Sequence, residues 1–182
     1  MKKYELRGET KEIGGVTLHR IRALIDIPEH DVKAGDLGGW IEAERNLSQN
    51  GAAWVTGSAW VTGSARVMGE ALVMDSARVT GKARVMDSAR VTDTALVMGS
   101  AWVTGEALVT NSADYITIGA IGSRNDTTTF YRGADGKIYV SCGCFNGSID
   151  DFASKVKAVH AGTKHEKTYL LAIELAKAQI ET

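Results

Sequence analysis

The sequence predicts a mainly β protein organised around a parallel β-solenoid, and three observations carry that prediction. Residues 51–116 divide without insertion into eleven consecutive blocks of six, from GAAWVT to NSADYI. The third position is Ala in every block, from Ala53 to Ala113, and the fifth is Val in the first ten, with Tyr115 in the last. Ten of the blocks open on Gly or Asp, which places a turn at each boundary. Side chains two apart on an extended chain share a face, so each A-x-V is a short strand with both small apolar groups pointing inward. A helix is excluded, because six is no multiple of 3.6 and a Gly or Asp in every block is costly there. Units this short cannot bury their apolar faces alone and must stack.

The repeat resembles the hexapeptide repeat of left-handed parallel β-helices. The resemblance implies three blocks to a triangular coil of eighteen residues, hence about 3.7 coils, stacked at roughly 4.8 Å and wound left-handed. The fourth position of each block then faces outward, in rows eighteen residues apart. One row is Trp54, Leu72, Arg90 and Leu108; the next is Trp60, Arg78, Leu96 and Asp114; the third is Arg66, Arg84 and Trp102. Rows this apolar, with Arg interleaved, suit a protein interface. The expected partner is a second copy of the chain, and the resemblance implies a trimer, as is common among left-handed β-helix proteins. Trp54, Trp60, Arg66, Arg78, Arg84, Arg90 and Trp102 are the candidate interface. The competing reading lays Trp54, Trp60 and Trp102 under the terminal segments of their own chain.

The non-repetitive ends flank the solenoid. Residues 1–50 are expected to form an N-terminal β cap, with strands near 4–6 and 16–27 and a stop at Pro28. Residues 117–182 are expected to form a small α+β module. Its hairpin pairs 127–131 with 137–145 across the turn at Ala134-Asp135-Gly136. Two helices follow, each opening on a capping-box pattern. The first has Ser148 with Asp151 and buries Ile149, Phe152, Val156 and Val159. The second has Thr163 with Glu166 and buries Tyr169, Ile173, Ala176 and Ile180.

Composition narrows the function classes. The 182 residues carry a net charge of −1 and no Lys/Arg block, which makes nucleic acid an unexpected partner. No stretch approaches eighteen apolar residues, and the first ten residues lack the apolar core of a signal peptide, so neither a membrane nor export is expected. Many hexapeptide-repeat proteins are acyltransferases and some are zinc carbonic anhydrases, with histidines on the coils and a loop projecting from them. Residues 51–116 contain no His, no Cys and no insertion, and His19, His30, His160 and His165 all lie outside. Catalysis is therefore not expected, and no cofactor is called for.

Two further constellations remain. Cys142 and Cys144, on one predicted strand, could join His160 and His165 at a zinc site. The C-x-C spacing is unusual for zinc, and buried thiols beside helix-terminal histidines are the simpler reading. The second constellation is the loop around Gly119–Thr129. Small residues expose backbone N–H groups, Arg124 supplies a bidentate fork, and Ser123, Asn125, Thr127 and Thr128 add polar partners for a phosphate or carboxylate. Tyr131 and Phe145 are candidates to stack on a base, and Lys164 to add charge.

Motifs at both ends carry a wider resemblance. YELRGET at 4–10, TLHRIRAL at 17–24, GDLGGWIE at 35–42, IGSRN at 121–125, TTFYR at 128–132, CGCF at 142–145 and KHEKTYL at 164–170 together resemble bacteriophage- and prophage-encoded hexapeptide-repeat proteins. The resemblance implies expression in the cytoplasm of an infected bacterium. The functional expectation is a non-catalytic, oligomeric accessory protein that binds a small nucleotide-like anion and so counters a host defence signal. The alternative is a scaffold that binds a host or phage protein through the outer Trp and Arg rows.

Overall fold

The computed structural model describes residues 2–180, and its largest element is a β-solenoid. Ten dipeptide strands run from β4 (Trp54–Val55) to β13 (Leu108–Val109), one per block. Each of the first seven pairs in parallel with the strand eighteen residues on, as Trp54 with Leu72, Trp60 with Arg78 and Arg66 with Arg84, and the last three end the stack. The N–H of Trp54 donates to the Ala71 carbonyl at 2.9 Å and that of Thr56 to Val73 at 2.9 Å, and this pattern continues up the stack. Ala53 to Ala101 and Val55 to Val109 are fully buried along the axis. At about 1.5–3 kcal/mol per buried Val, that column is the main source of the solenoid's stability.

The corners explain the Gly/Asp alternation. Gly57, Gly63, Gly69, Gly81, Gly99 and Gly105 have positive φ, and so do Asp75, Asp87 and Asp93. A side chain at Gly69 would put a Cβ 2.8 Å from the Asp87 nitrogen of the next coil, so glycine is required there. Asp87 stands the left-handed conformation because its carboxylate accepts from Gly105 N–H at 3.1 Å and from the Thr104 hydroxyl. Asp75 bonds Thr92 and Asp93 in the same way.

The sheet stack starts earlier than the repeat does. Strand β3 (Leu37–Ile41) pairs in parallel with β5 (Trp60–Val61), Trp40 opposite Trp60, and Leu47 bridges Val67. The solenoid thus has about four turns, with a first turn two residues longer than the rest. Hexamer spacing is lost there because a side chain substitutes for backbone. Asn46 Nδ2 donates to the carbonyls of Gly63 and Ala65 at 3.1 and 2.9 Å.

Ahead of it, β1 (Tyr4–Ile13) and β2 (Val16–Ala23) form an antiparallel hairpin, and β2 extends the sheet of β3. The Tyr4 ring meets Trp54 edge-on at 6.4 Å, and Lys3 Nζ donates to the carbonyls of Gly51 and Ala53. Trp54 is consequently 1 % exposed. It belongs to the core and not to an outer interface, because the N-terminal segment of its own chain covers it. Trp60 and Trp102 are half-buried, while Arg66, Arg78, Arg84 and Arg90 are exposed.

After the last coil come four antiparallel strands, β14 (Tyr115–Ile121), β15 (Asp126–Arg132), β16 (Ile138–Cys142) and β17 (Phe145–Ser148). Helices α1 (Ile149–His160) and α2 (Lys164–Gln179) pack Phe152, Val156, Tyr169, Ile173 and Ala176 against Phe130, Ile138 and Val140. Both helices open as the sequence predicts, with Ser148 and Thr163 accepting from the N–H groups of Asp151 and Glu166. Val159 departs from the expected buried set and is 63 % exposed.

Each face of the terminal coil is closed by a different device. Tyr115 Oη donates to Leu96 O at 2.8 Å and accepts from Met98 N–H; Thr129 Oγ1 accepts from Trp102 N–H at 3.0 Å. Gly133 bridges Ala107, and Ala134 N–H donates to Glu106 O at 2.9 Å. These contacts satisfy backbone groups that a further coil would otherwise take. They also bring β15 against Trp102.

Candidate functional site

The expected ligand loop is a tight hairpin turn. Strands β14 and β15 pair from Tyr115–Tyr131 to Ile121–Asp126, leaving only Gly122, Ser123, Arg124 and Asn125 to reverse the chain. A bulge at Ala120, with φ 53°, shifts the register on the way. Gly122 has φ 72°, and a Cβ there would sit 1.7 Å from the Tyr169 hydroxyl. The turn therefore rests on Tyr169, whose hydroxyl also faces the Ser123 N–H and lies 3.7 Å from Cys142 Sγ. Burial, then the neighbouring Cys142 thiol, push the Tyr169 phenol well above its ordinary value, so it stays protonated.

On this brace Ser123, Arg124 and Asn125 project outward, all exposed. The Arg124 guanidinium passes over Gly143, where an added Cβ would stand 3.6 Å from Nη1. One side of Arg124 is a cleft of about 300 Å³ between the last coil and the module. Trp102 and Ser100 form its solenoid wall; Asp126, Thr127, Ser141 and Cys144 form the opposite wall. The Arg84 guanidinium lies 4.6 Å from the centre of the Trp102 ring, a cation–π contact that holds the indole in place. Among the described residues, neither Arg84 nor Arg124 is in an ion pair. On the other side of Arg124 an apolar pocket of about 130 Å³ runs under Phe145, Phe152 and Val159, with Lys155 and His160 at its edge.

Several expected members are placed elsewhere. Thr128 is fully buried, its hydroxyl 3.2 Å from Cys142 Sγ; Tyr131 is 1 % exposed and donates to Asn146 Oδ1 at 2.9 Å. Three apart on β15, they lie on opposite faces: Thr128 turns with Phe130 toward the module's helices, Tyr131 packs into the solenoid core, and neither lines the cleft. Lys164 is exposed at the start of α2 and lines neither pocket; the lysine at the site is Lys155, 5.4 Å from the Phe145 ring centre.

The zinc constellation does not assemble. The run 137–145 is two strands broken at Gly143, φ 59°, so Cys144 lies in a turn and does not share a strand face with Cys142. His160 and His165 stack edge-on at 5.8 Å. Among the described residues no group of three His, Cys, Asp or Glu side chains could hold a metal ion.

Trp102, Ser100, Ser141, Cys144 and Lys155 join the site without having been expected there, and Asp126 of the expected loop gains a role. Trp102 had a readable signal. It is the last member of its row, so nothing but the C-terminal module can cover its coil edge.

The cleft offers a guanidinium without a counter-ion among the described residues, an indole, hydroxyls and one carboxylate. That set suits a ligand with an anionic group, a flat ring and hydroxyls or an amine for Asp126. No helix among the described residues is long and apolar enough to cross a membrane. No protein-family model matches the chain, and no curated protein matches its sequence.

Proposed function

We propose that this chain is a non-catalytic accessory protein that binds a small anionic, nucleotide-like ligand in the cleft between the last coil and the C-terminal module. The observation that carries the reading is Arg124, unpaired among the described residues and held on a braced turn opposite Trp102. Phosphate takes the Arg124 fork, the base lies along the indole, and Asp126 accepts from ribose hydroxyls. In the same reading the coils are left-handed, the segment ahead of β3 acts as a cap, shorter than the 1–50 first expected, and the protein assembles with copies of itself through Trp60, Arg78 and Arg90. The phage-like motifs make the cytoplasm of an infected bacterium its setting and the capture of a host defence signal its purpose.

Calorimetry against a panel of mono-, cyclic and ADP-ribose-type nucleotides tests this directly. Binding should fall by about 10–100-fold in Arg124→Ala, the worth of charge-assisted hydrogen bonds, and stay unchanged in Arg78→Ala. A panel in which no nucleotide binds sinks the proposal.

The scaffold reading is supported by a different surface from the one first expected. With Trp54 in the core, the apolar groups left exposed include Leu171 and Leu175, one turn apart on α2 at 62 and 51 %. A pull-down whose partner is lost in Leu171→Ser/Leu175→Ser, but kept in Arg124→Ala, would favour it.

A further inference from the structure

Sorting the charges of the repeat by face exposes a segregation that the net charge conceals. The face made by β6 (Arg66–Val67), β9 (Arg84–Val85) and β12 (Trp102–Val103) comes from the blocks GSARVM at 63–68, GKARVM at 81–86 and GSAWVT at 99–104. These blocks hold Arg66, Lys82 and Arg84 and no acid. All six acids of the repeat (Glu70, Asp75, Asp87, Asp93, Glu106 and Asp114) lie in the other eight blocks.

The structure places Arg66 directly opposite Arg84 in the parallel ladder, and Arg84 opposite Trp102. Like charges in register repel. Arg66, Lys82 and Arg84 are exposed, and none is in an ion pair among the described residues. The nearest acids along the chain are committed elsewhere. Asp87 accepts from Gly105 N–H and the Thr104 hydroxyl, Glu70 from Ser88 at 3.4 Å, and Glu42 pairs with Arg45 and Gly63 N–H. At one end the row runs into the cleft of Trp102 and Arg124; at the other, a second cleft of about 460 Å³ lies against Arg66, Arg45 and Glu44, whose carboxylate pairs with Lys2. Two strand steps separate Arg66 from Trp102, about 10 Å.

We infer that this face is a binding track for a short single-stranded oligonucleotide, running from Arg66 over Arg84 and Trp102 to Arg124. The inference rests on the nucleotide-binding reading of the cleft and extends it from one nucleotide to several. Phosphates relieve the Arg66–Arg84 repulsion, and the indole and guanidinium planes give bases a surface on which to stack irrespective of sequence. Stacking is what selects a nucleic-acid strand over an acidic peptide, which would use the cations and leave Trp102 idle.

The test is a length series read by calorimetry on the full chain: AMP, a 5′-phosphorylated dinucleotide and a tetranucleotide, with a Glu decapeptide as a rival polyanion. The tetranucleotide should bind at least tenfold more tightly than AMP, with a log–log salt slope of about −2 for three phosphate contacts. The Arg66→Gln/Lys82→Gln variant should lose that advantage and keep AMP binding, while Arg7→Gln on the N-terminal hairpin keeps both. Circular-dichroism melts establish that each variant is folded.

Equal affinity for AMP and tetranucleotide, or a decapeptide as tight as the tetranucleotide, overturns the track and leaves the cleft standing. Length-dependent binding that Arg124→Ala leaves intact keeps the track and removes the cleft. Absence of binding by all four probes overturns the track, and the cleft falls with it when the cyclic and ADP-ribose-type nucleotides also fail to bind.

Discussion

In the solenoid a residue's role follows from its position in the block; in the C-terminal module it follows from the one neighbour it meets. Ala53 and Ala101 are interchangeable in kind, both fully buried on the axis, and every coil repeats the same ladder. Tyr169, by contrast, braces one turn, and Thr129 satisfies one N–H. The solenoid is stabilised by redundancy and the module by single contacts. A ligand site needs groups that differ from their neighbours, and it therefore falls where the repetition stops.

The strongest way to break that contrast is to show that redundancy protects the interior. It should not: Val85→Asp buries an unpaired carboxylate in a column with no polar partner, and should cost at least about 4 kcal/mol. Far-UV circular dichroism should show loss of the whole solenoid, and urea curves within 1 kcal/mol of the parent would contradict the packing. Next in size, Trp54→Ala should cost about 3–5 kcal/mol, and Trp102→Ala, half-buried, clearly less. Equal losses in denaturant melts would return Trp54 to the surface.

Gly122→Ala should cost about 1–3 kcal/mol, because the added methyl meets Tyr169 in a left-handed turn. Its far-UV spectrum should be that of the parent while nucleotide affinity falls. A variant that binds normally would show that the brace does not position Arg124.

Asp114 gives a pH-dependent comparison between the two regions, since it sits at their junction. Burial would raise its carboxyl, but hydrogen bonds from the Thr110 hydroxyl and the N–H groups of Thr110 and Asn111, with Arg132 3.6 Å away, hold it below the usual aspartate range. Its folded value is thus lower than its unfolded one. The stabilisation is present above the unfolded value, about 3.9, and is lost as pH falls through the folded one. Asp114→Asn should cost about 1–2 kcal/mol at pH 7 and nearly nothing below both values. A penalty that persists in acid would assign the cost to packing instead. Smallest of all, Arg78→Gln should leave stability within about 0.5 kcal/mol.

Periodicity made the solenoid legible: the inward Ala and Val positions, the eighteen-residue register from Trp54 to Leu108 and both helix caps stand in the structure as the sequence predicts. Asp114, expected to close an outward row, is instead buried against Thr110 and Asn111. What the pattern did not reveal depends on contacts between distant segments. No local signal says that Tyr4 covers Trp54, or that Asn46 extends the stack by standing in for backbone. Thr128 looked like a ligand group because a loop was expected at 119–129, and Tyr131 because it follows that loop; β15 runs there instead, covered by the helices on one face and by the solenoid on the other. Gly143 was the one overlooked local cue, a glycine between two cysteines that marks a turn.

The eighteen-residue register also makes the molecule a ruler with coarse graduations. Inserting or deleting one whole coil would keep every face on its own row and move the Arg66 end from the Arg124 end by a single strand spacing, roughly 4.8 Å. Inserting one block of six would instead rotate everything beyond it by a third of a turn, and Trp102 would cease to lie above Arg84. Changes in the span of such a surface can therefore come only in whole coils.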